Sequence, residues 1–191
     1  QDDVILSDGL LEVLPELKRP GPVSLYAGRN GNGRKAMTMA RNAGTQWFRY
    51  IGLVWGPAVM QPVEYLAELV EYGDRTRIRS YDQRLTAFWR RKNVACWYTA
   101  PSLVNHRCGD NPSLKGGNDS REAEWFGSGV GLDWSAEPLI VDRDSMFPKV
   151  TLTDGKLVRH VRYGSSVYRR LSKRPGWELT DESRALVELV P

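Results

Sequence analysis

Hydrophobic and polar positions change period several times along this chain, and each change marks an element. Val4-Ile5-Leu6 is a short apolar run beside the carboxylate pair Asp2-Asp3. Ser7-Asp8-Gly9 offers N-cap chemistry ahead of Leu10, Leu11, Val13, Leu14 and Leu17, which recur at helical spacing. Lys18 to Pro22 is a breaker cluster, and Val23 to Ala27 reads as a short buried strand. Gly28 to Gly33 is a glycine-rich loop, and Arg34 to Ala43 reads as a helix stopped at Gly44. Trp47 to Val54 is strand-like. Pro62 suits the first residue of a helix with Tyr65, Leu66, Leu69 and Val70 on one face. Gly73 to Ser80 is a charged connection, and Asp82 opens a helix that turns Leu85, Phe88 and Trp89 inward.

Farther along, Val94 to Thr99 has the β-branched and aromatic content of a strand. Pro101 to Lys115 reads as irregular, and Gly116 to Asp119 as a turn. From Met146 the pattern changes. Val150 to Thr153, an Asp154-Gly155 turn and Leu157 to Tyr163 predict a β-hairpin, followed by Trp177 as an aromatic anchor and a helix from Asp181 to Val190. Alternating strands and helices predict an α/β fold, with a main domain at 1–145 and a hairpin-and-helix extension at 146–191.

Composition narrows the function classes. The 191 residues are 41% hydrophobic and 26% charged, enough for one sizeable core and close to the globular average. No apolar run is long enough to span a bilayer, so the expectation is a soluble, cytoplasmic protein. Cys96 and Cys108 belong to no CxxC pair and read as thiols, Cys96 as a buried one. The net charge of +4 permits an anionic partner without requiring it. Basic residues gather at Arg75, Arg77, Arg79, Arg84, Arg90, Arg91 and Lys92, and again at Arg159, Arg162, Arg169, Arg170, Lys173 and Arg174. These are either solvated faces or surfaces for phosphate, on a nucleotide-sugar or on nucleic acid.

Three polar clusters fall at strand ends, where open α/β sheets carry their chemistry. Asp2-Asp3 suits a hard divalent cation such as Mg²⁺ or Mn²⁺, which prefers oxygen ligands. Asp82 begins a helix, and His106 closes the segment Pro101-Ser102-Leu103-Val104-Asn105-His106. Each has a plain structural alternative. Asp2-Asp3 can be a solvated terminus, Asp82 a helix cap, and His106 a partly buried histidine held by backbone.

The order of the segments carries a resemblance. Gln1-Asp2-Asp3-Val4, Gly21 to Tyr26, Trp55-Gly56-Pro57-Ala58, Asp82-Gln83-Arg84-Leu85, Val94 to Thr99, Pro101 to His106 and Arg121 to Trp134 follow one another. This series resembles bacterial and phage glycosyltransferases similar to family 25, over residues 1 to about 135. The resemblance implies a GT-A-like, Rossmann-related mixed sheet flanked by helices, a nucleotide-sugar donor, a hydroxyl acceptor, and Mn²⁺ or Mg²⁺. It implies Asp3 and His106 as metal ligands and Asp82 as the base. Asp2, Trp55, Gly56 and Arg84 would then bind donor or acceptor, with a sugar ring stacked on the Trp55 indole.

In that family the DxD-like pair follows several strands that bind the nucleotide base, whereas here it stands first. The expectation is therefore a chain completed by upstream residues, by another subunit, or by its own segment from Met146 to Val190. The competing readings are a non-catalytic binding or structural module on a cut-down transferase fold, and a transferase acting on modified DNA bases.

Overall fold

Pro15 divides the first amphipathic stretch. In the computed structural model this stretch is a helix, α1 (Leu10–Val13), continued by a 3-10 turn (Leu14–Leu17). Proline has no N–H to donate to the preceding turn, so a regular helix does not run through it. Leu10, Val13 and Leu17 are buried, while Leu11 faces solvent. The structure describes residues 4–29, 31–50, 57–106, 122–141, 149–152, 157–160 and 177–179. By contact density the chain divides into two units, Gln1–Ile140 and Val141–Pro191.

The first unit is built on short strands and three further helices. The strands are β1 (Val4–Leu6), β2 (Val23–Ser24), β3 (Trp47–Tyr50), β4 (Val59–Met60), β5 (Cys96–Thr99), β6 (Val104–His106) and β7 (Leu139–Val141). The helices are α2 (Gly31–Asn42), α3 (Leu66–Arg75) and α4 (Tyr81–Arg91). Five strands form one sheet in the order β4-β2-β5-β3-β7, with β2 parallel to β5 and antiparallel to β4, and β3 antiparallel to β5. The fold is thus mixed α/β, a mixed sheet flanked by helices. A separate antiparallel pair joins β1 to β6.

β5 lies in the middle of the larger sheet because both its faces are apolar or aromatic, and all four of its residues are buried. Tyr98 stacks flat on Phe48, its register partner, with ring centroids 4.6 Å apart. On the other face three tryptophans meet edge to face. Trp47 lies 5.7 Å from Trp97 and 5.1 Å from Trp134. Two of the three indole N–H groups are satisfied within this cluster, while the buried Trp97 Nε1 has no hydrogen-bond partner among the described residues. Trp47 Nε1 donates to the Trp134 carbonyl at 2.8 Å, and Trp134 Nε1 to the Gly129 carbonyl at 3.0 Å. Gly129 is required by space, since a Cβ there would stand 2.8 Å from the Trp134 ring. The Arg19 guanidinium lies 4.3 Å from the Trp47 ring centre and donates to the Trp134 carbonyl.

α4 follows its sequence pattern, with Leu85, Phe88 and Trp89 buried. It ends at Asn93, whose φ of 55° is the left-handed conformation in which asparagine substitutes for glycine. α3 departs from its pattern. Pro62 precedes a 3-10 turn (Val63–Tyr65) rather than opening the helix. The helix runs on into Arg75, through part of the stretch read as a connection, and none of its residues is buried. The face expected to bury Leu66 and Val70 leaves both exposed.

Three further readings are corrected. α2 begins at Gly31 rather than Arg34, because glycine costs little in a first turn that lacks internal bonds anyway. The strand read at Val23 to Ala27 stops at Ser24, because the Ser24 hydroxyl bonds the Tyr26 carbonyl and the next backbone groups turn to other partners. The segment read as irregular after Pro101 contains β6, which exists through its pairing with β1.

In the second unit, β8 (Lys149–Leu152) pairs antiparallel with β9 (Leu157–His160) and with β10 (Trp177–Leu179), which puts Trp177 opposite Leu152. The Asp154-Gly155 turn and the helix expected from Asp181 lie outside the described residues.

Candidate metal and donor site

Of the residues assigned to chemistry, Asp82, Arg84 and His106 lie among the described residues. Asp2, Asp3, Trp55 and Gly56 lie outside them, as does Cys108.

The segment from Ala100 to His106 is a crossing point for the backbone of the first unit. Leu103 and Val104 both donate their N–H to the Leu25 carbonyl, at 2.8 and 3.0 Å. The Leu103 carbonyl accepts from Ser7 at 2.9 Å. Ser102 is wholly buried, and its hydroxyl accepts the Ala27 N–H at 3.0 Å. Its own backbone bonds Trp125 and Gly127 on the far side. Buried polar groups must be paired in this way, because an unmade bond costs about 1–3 kcal/mol. The Pro-Ser-Leu-Val stretch therefore has a full structural account of its own.

His106 ends this stretch. It is the register partner of Val4, so the residue that follows Asp3 in the sequence lies directly opposite the imidazole-bearing position. Its ring meets Tyr26 edge to face at 6.5 Å, and the Tyr26 hydroxyl in turn stands 2.7 Å from where a Cβ on Gly28 would be. Asn105 fixes the local backbone. Its Oδ1 accepts the His106 N–H at 2.9 Å and the Ala123 N–H at 2.7 Å. Ala123 also bridges Gly28, which ties the Tyr26–Gly28 segment to the same place. Around that bridge Arg29 pairs with Glu122 at 3.0 Å, and Arg34 with Glu124 at 3.2 Å. The two carboxylates nearest Ala123 in sequence are thus already matched by arginines.

Asp82 and Arg84 stand on α4, with different neighbours. The Asp82 carboxylate accepts from the Ser80 hydroxyl and, at 2.9 Å, from the Gln83 N–H. Ser80 is the N-cap residue of α4, and Asp82 lies in its first turn, where a carboxylate meets the positive end of the helix. The Arg84 guanidinium lies against Gly73 of α3, 3.9 Å from the position of an added Cβ, and its buried Nε has no hydrogen-bond partner among the described residues. The structure therefore gathers His106 with Val4, Tyr26 and Asn105, Asp82 with Ser80 and Gln83, and Arg84 with Gly73.

Asn105 and Tyr26 were not singled out from the sequence. Asn105 had a usable signal, since a carboxamide inside an otherwise apolar run needs a partner. Tyr26 had none, because its position against His106 depends on distant pairings.

Two clefts lie elsewhere. One, of about 460 Å³, opens between α3 and α4. The other, of about 380 Å³, lies beside β4 and the Leu14–Arg19 segment. Neither is lined by Asp82, Arg84 or His106. Strong pKa displacement is found in the sheet instead. Burial pushes the Cys96 thiol up to about 12, and Tyr98 beside it well above its ordinary value. Such a thiol is inert, in accord with its reading as a buried structural cysteine. Among the described residues no three His, Cys, Asp or Glu side chains group so as to hold a metal ion. None of their helices is long and apolar enough to cross a membrane.

No protein family, curated protein or solved structure is significantly similar to this chain.

Proposed function

We propose that this chain is the catalytic-core portion of a metal-dependent GT-A-type glycosyltransferase, moving a sugar from a nucleotide-sugar donor to a hydroxyl acceptor. The observation that carries the reading is the register of β1 on β6, which pairs Val4, the residue after the Asp2-Asp3 motif, with His106. A carboxylate and an imidazole that leave positions open for diphosphate oxygens make a donor set suited to Mn²⁺ or Mg²⁺ rather than to structural zinc. His106 alone cannot make such a site, so the aspartates ahead of β1 are essential to it.

In this reading Asp3 and His106 hold the cation, and Asp2 holds the donor's sugar or ribose. When bound, the cation supplies charge stabilisation at the leaving diphosphate. Asn105 keeps the His106 backbone at a fixed position through its bond to Ala123. Trp55-Gly56 and Arg84 serve donor or acceptor. Asp82 takes the acceptor hydroxyl's proton, for which its carboxylate must leave the Ser80 hydroxyl. The mixed α/β sheet is compatible with the GT-A-like assignment, and the segment after Met146 is an extension of it.

One observation favours a second reading, a non-catalytic binding or structural module on a related fold. The Asp82 carboxylate already has structural employment in the first turn of α4, where it accepts from the Ser80 hydroxyl and the Gln83 N–H.

Calorimetric titration of Mn²⁺ with a nucleoside diphosphate separates the two. Wild-type chain is expected to bind, and His106→Ala to lose most of that binding. Asp2→Ala and Asp3→Ala are measured separately, since the two carboxylates are given different roles. Absence of binding by the wild type, or binding that all three variants retain, overturns the transferase reading in favour of the module.

A further inference from the structure

The α3–α4 cleft collects cations that the sequence scatters. Arg75 and Arg77 come from the end of α3 and the turn beyond it, Arg91 and Lys92 from the end of α4, and all four line one cavity of about 460 Å³. That volume is within the ~300–1,000 Å³ typical of small-ligand sites. The wall between them is aromatic, with Tyr72 of α3 against Phe88 of α4 at 5.6 Å between ring centres.

Only half of these charges are neutralised. Glu71 pairs with Arg75 at 2.6 Å, and Glu68 pairs with Lys92 at 2.6 Å. Lys92 is further held over the Phe88 ring. Arg77 and Arg91 make no ion pair and no hydrogen bond among the described residues. Two exposed guanidiniums lining a partly aromatic cavity, beside two fixed ion pairs, present unused donor forks. Guanidinium forks match phosphate oxygens bidentately and bind them better than they bind a spherical anion.

We infer that the α3–α4 cleft is a phosphate-binding site, separate from His106, in which Arg77 and Arg91 grip the phosphate groups and the Tyr72 side supports the rest of the ligand. The chemistry is shared by a free diphosphate and by the backbone of a single nucleic-acid strand, and two probes distinguish these sources. Nothing in the inference requires a divalent cation or His106.

The test uses the full chain without added metal, titrated with inorganic pyrophosphate by calorimetry and with a fluorescein-labelled single-stranded oligonucleotide by anisotropy. At least one probe should bind, and Arg77→Ala/Arg91→Ala should weaken it roughly tenfold or more, the loss of charge-assisted hydrogen bonds. Oligonucleotide binding should also lose about 1.4 of its logarithmic salt slope, or ~0.7 for each phosphate contact removed. Arg79→Ala/Arg90→Ala removes two exposed arginines that do not line the cavity, and it should leave affinity within about twofold under the same net-charge change. His106→Ala should also bind as wild type. Thermal melts establish that the variants fold, which is expected since all four arginines are exposed. Pyrophosphate binding that is lost only in the Arg77/Arg91 variant assigns the site to a free phosphate ligand, and oligonucleotide binding lost only there assigns it to a strand. Binding by neither probe, or equal weakening in both double variants, overturns the inference.

Discussion

The central strand β5 and the helix α3 end in opposite states. β5 buries every residue, and its tryptophan and tyrosine each have an aromatic partner from β3. α3 is amphipathic by pattern yet buries nothing, with Val70 63% exposed. It is held by Tyr72 on Phe88 and by the Glu68–Lys92 pair. The difference teaches that this molecule's stability is concentrated where aromatic side chains interlock from several segments. The α3 surface is left comparatively free, the condition a binding surface requires.

The largest expected effect tests that division directly. Trp47→Ala removes a fully buried indole and its bond to Trp134, and should cost ~3–5 kcal/mol in urea unfolding. Val70→Ala on α3 should stay within about 0.5 kcal/mol. Similar losses from the two would erase the distinction. A smaller effect is expected at Gly129, where an added methyl meets the Trp134 ring at 2.8 Å and Leu103 at 3.0 Å. Gly129→Ala should destabilise by ~1–3 kcal/mol through overpacking, read as a lower Tm. A neutral result would mean that the tryptophan cluster can shift, and is not the rigid part of the molecule.

The last effect is absent at neutral pH. Cys96 has its folded pKa raised from 9.0 to about 12 by burial, so the unfolded chain ionises first as pH rises. Stability from this group is complete below pH 9 and is lost progressively between about 9 and 12, because the folded state then binds more protons than the unfolded state. In Cys96→Ala the part of the alkaline decline due to this thiol should vanish, as measured by urea midpoints across that range. An unchanged decline would show that Cys96 is not held in a dry core.

What could be read from the sequence follows the range of the forces involved. α4 was legible because Leu85, Phe88 and Trp89 repeat at helical spacing and are in fact covered. The same kind of pattern in α3 reports amphipathicity, but nothing in it says whether another element will cover that face. β6 was not legible, since three residues carry no period and the strand depends on Val4, far away in the chain. The pair β4 and β7 escaped for the same reason of length. At the candidate site His106 stood out as a residue type, whereas its supports, Asn105 and Tyr26, act through contacts that only the fold creates. The helix start near Asp82 was visible beforehand, because it is a local matter, but the N-cap is Ser80 and Asp82 lies in the first turn.

The central claim, a cation held between the Asp2-Asp3 motif and His106, is open to one direct measurement. The chain contains two histidines, His106 and His160, so imidazole proton resonances can be assigned by substitution of either one. Mn²⁺ is paramagnetic and broadens nearby nuclei. With a nucleoside diphosphate present, substoichiometric Mn²⁺ should broaden the His106 resonances, and Asp3→Ala should abolish the effect. His106 resonances that stay sharp as Mn²⁺ is added, or that broaden equally in Asp3→Ala, would contradict the account.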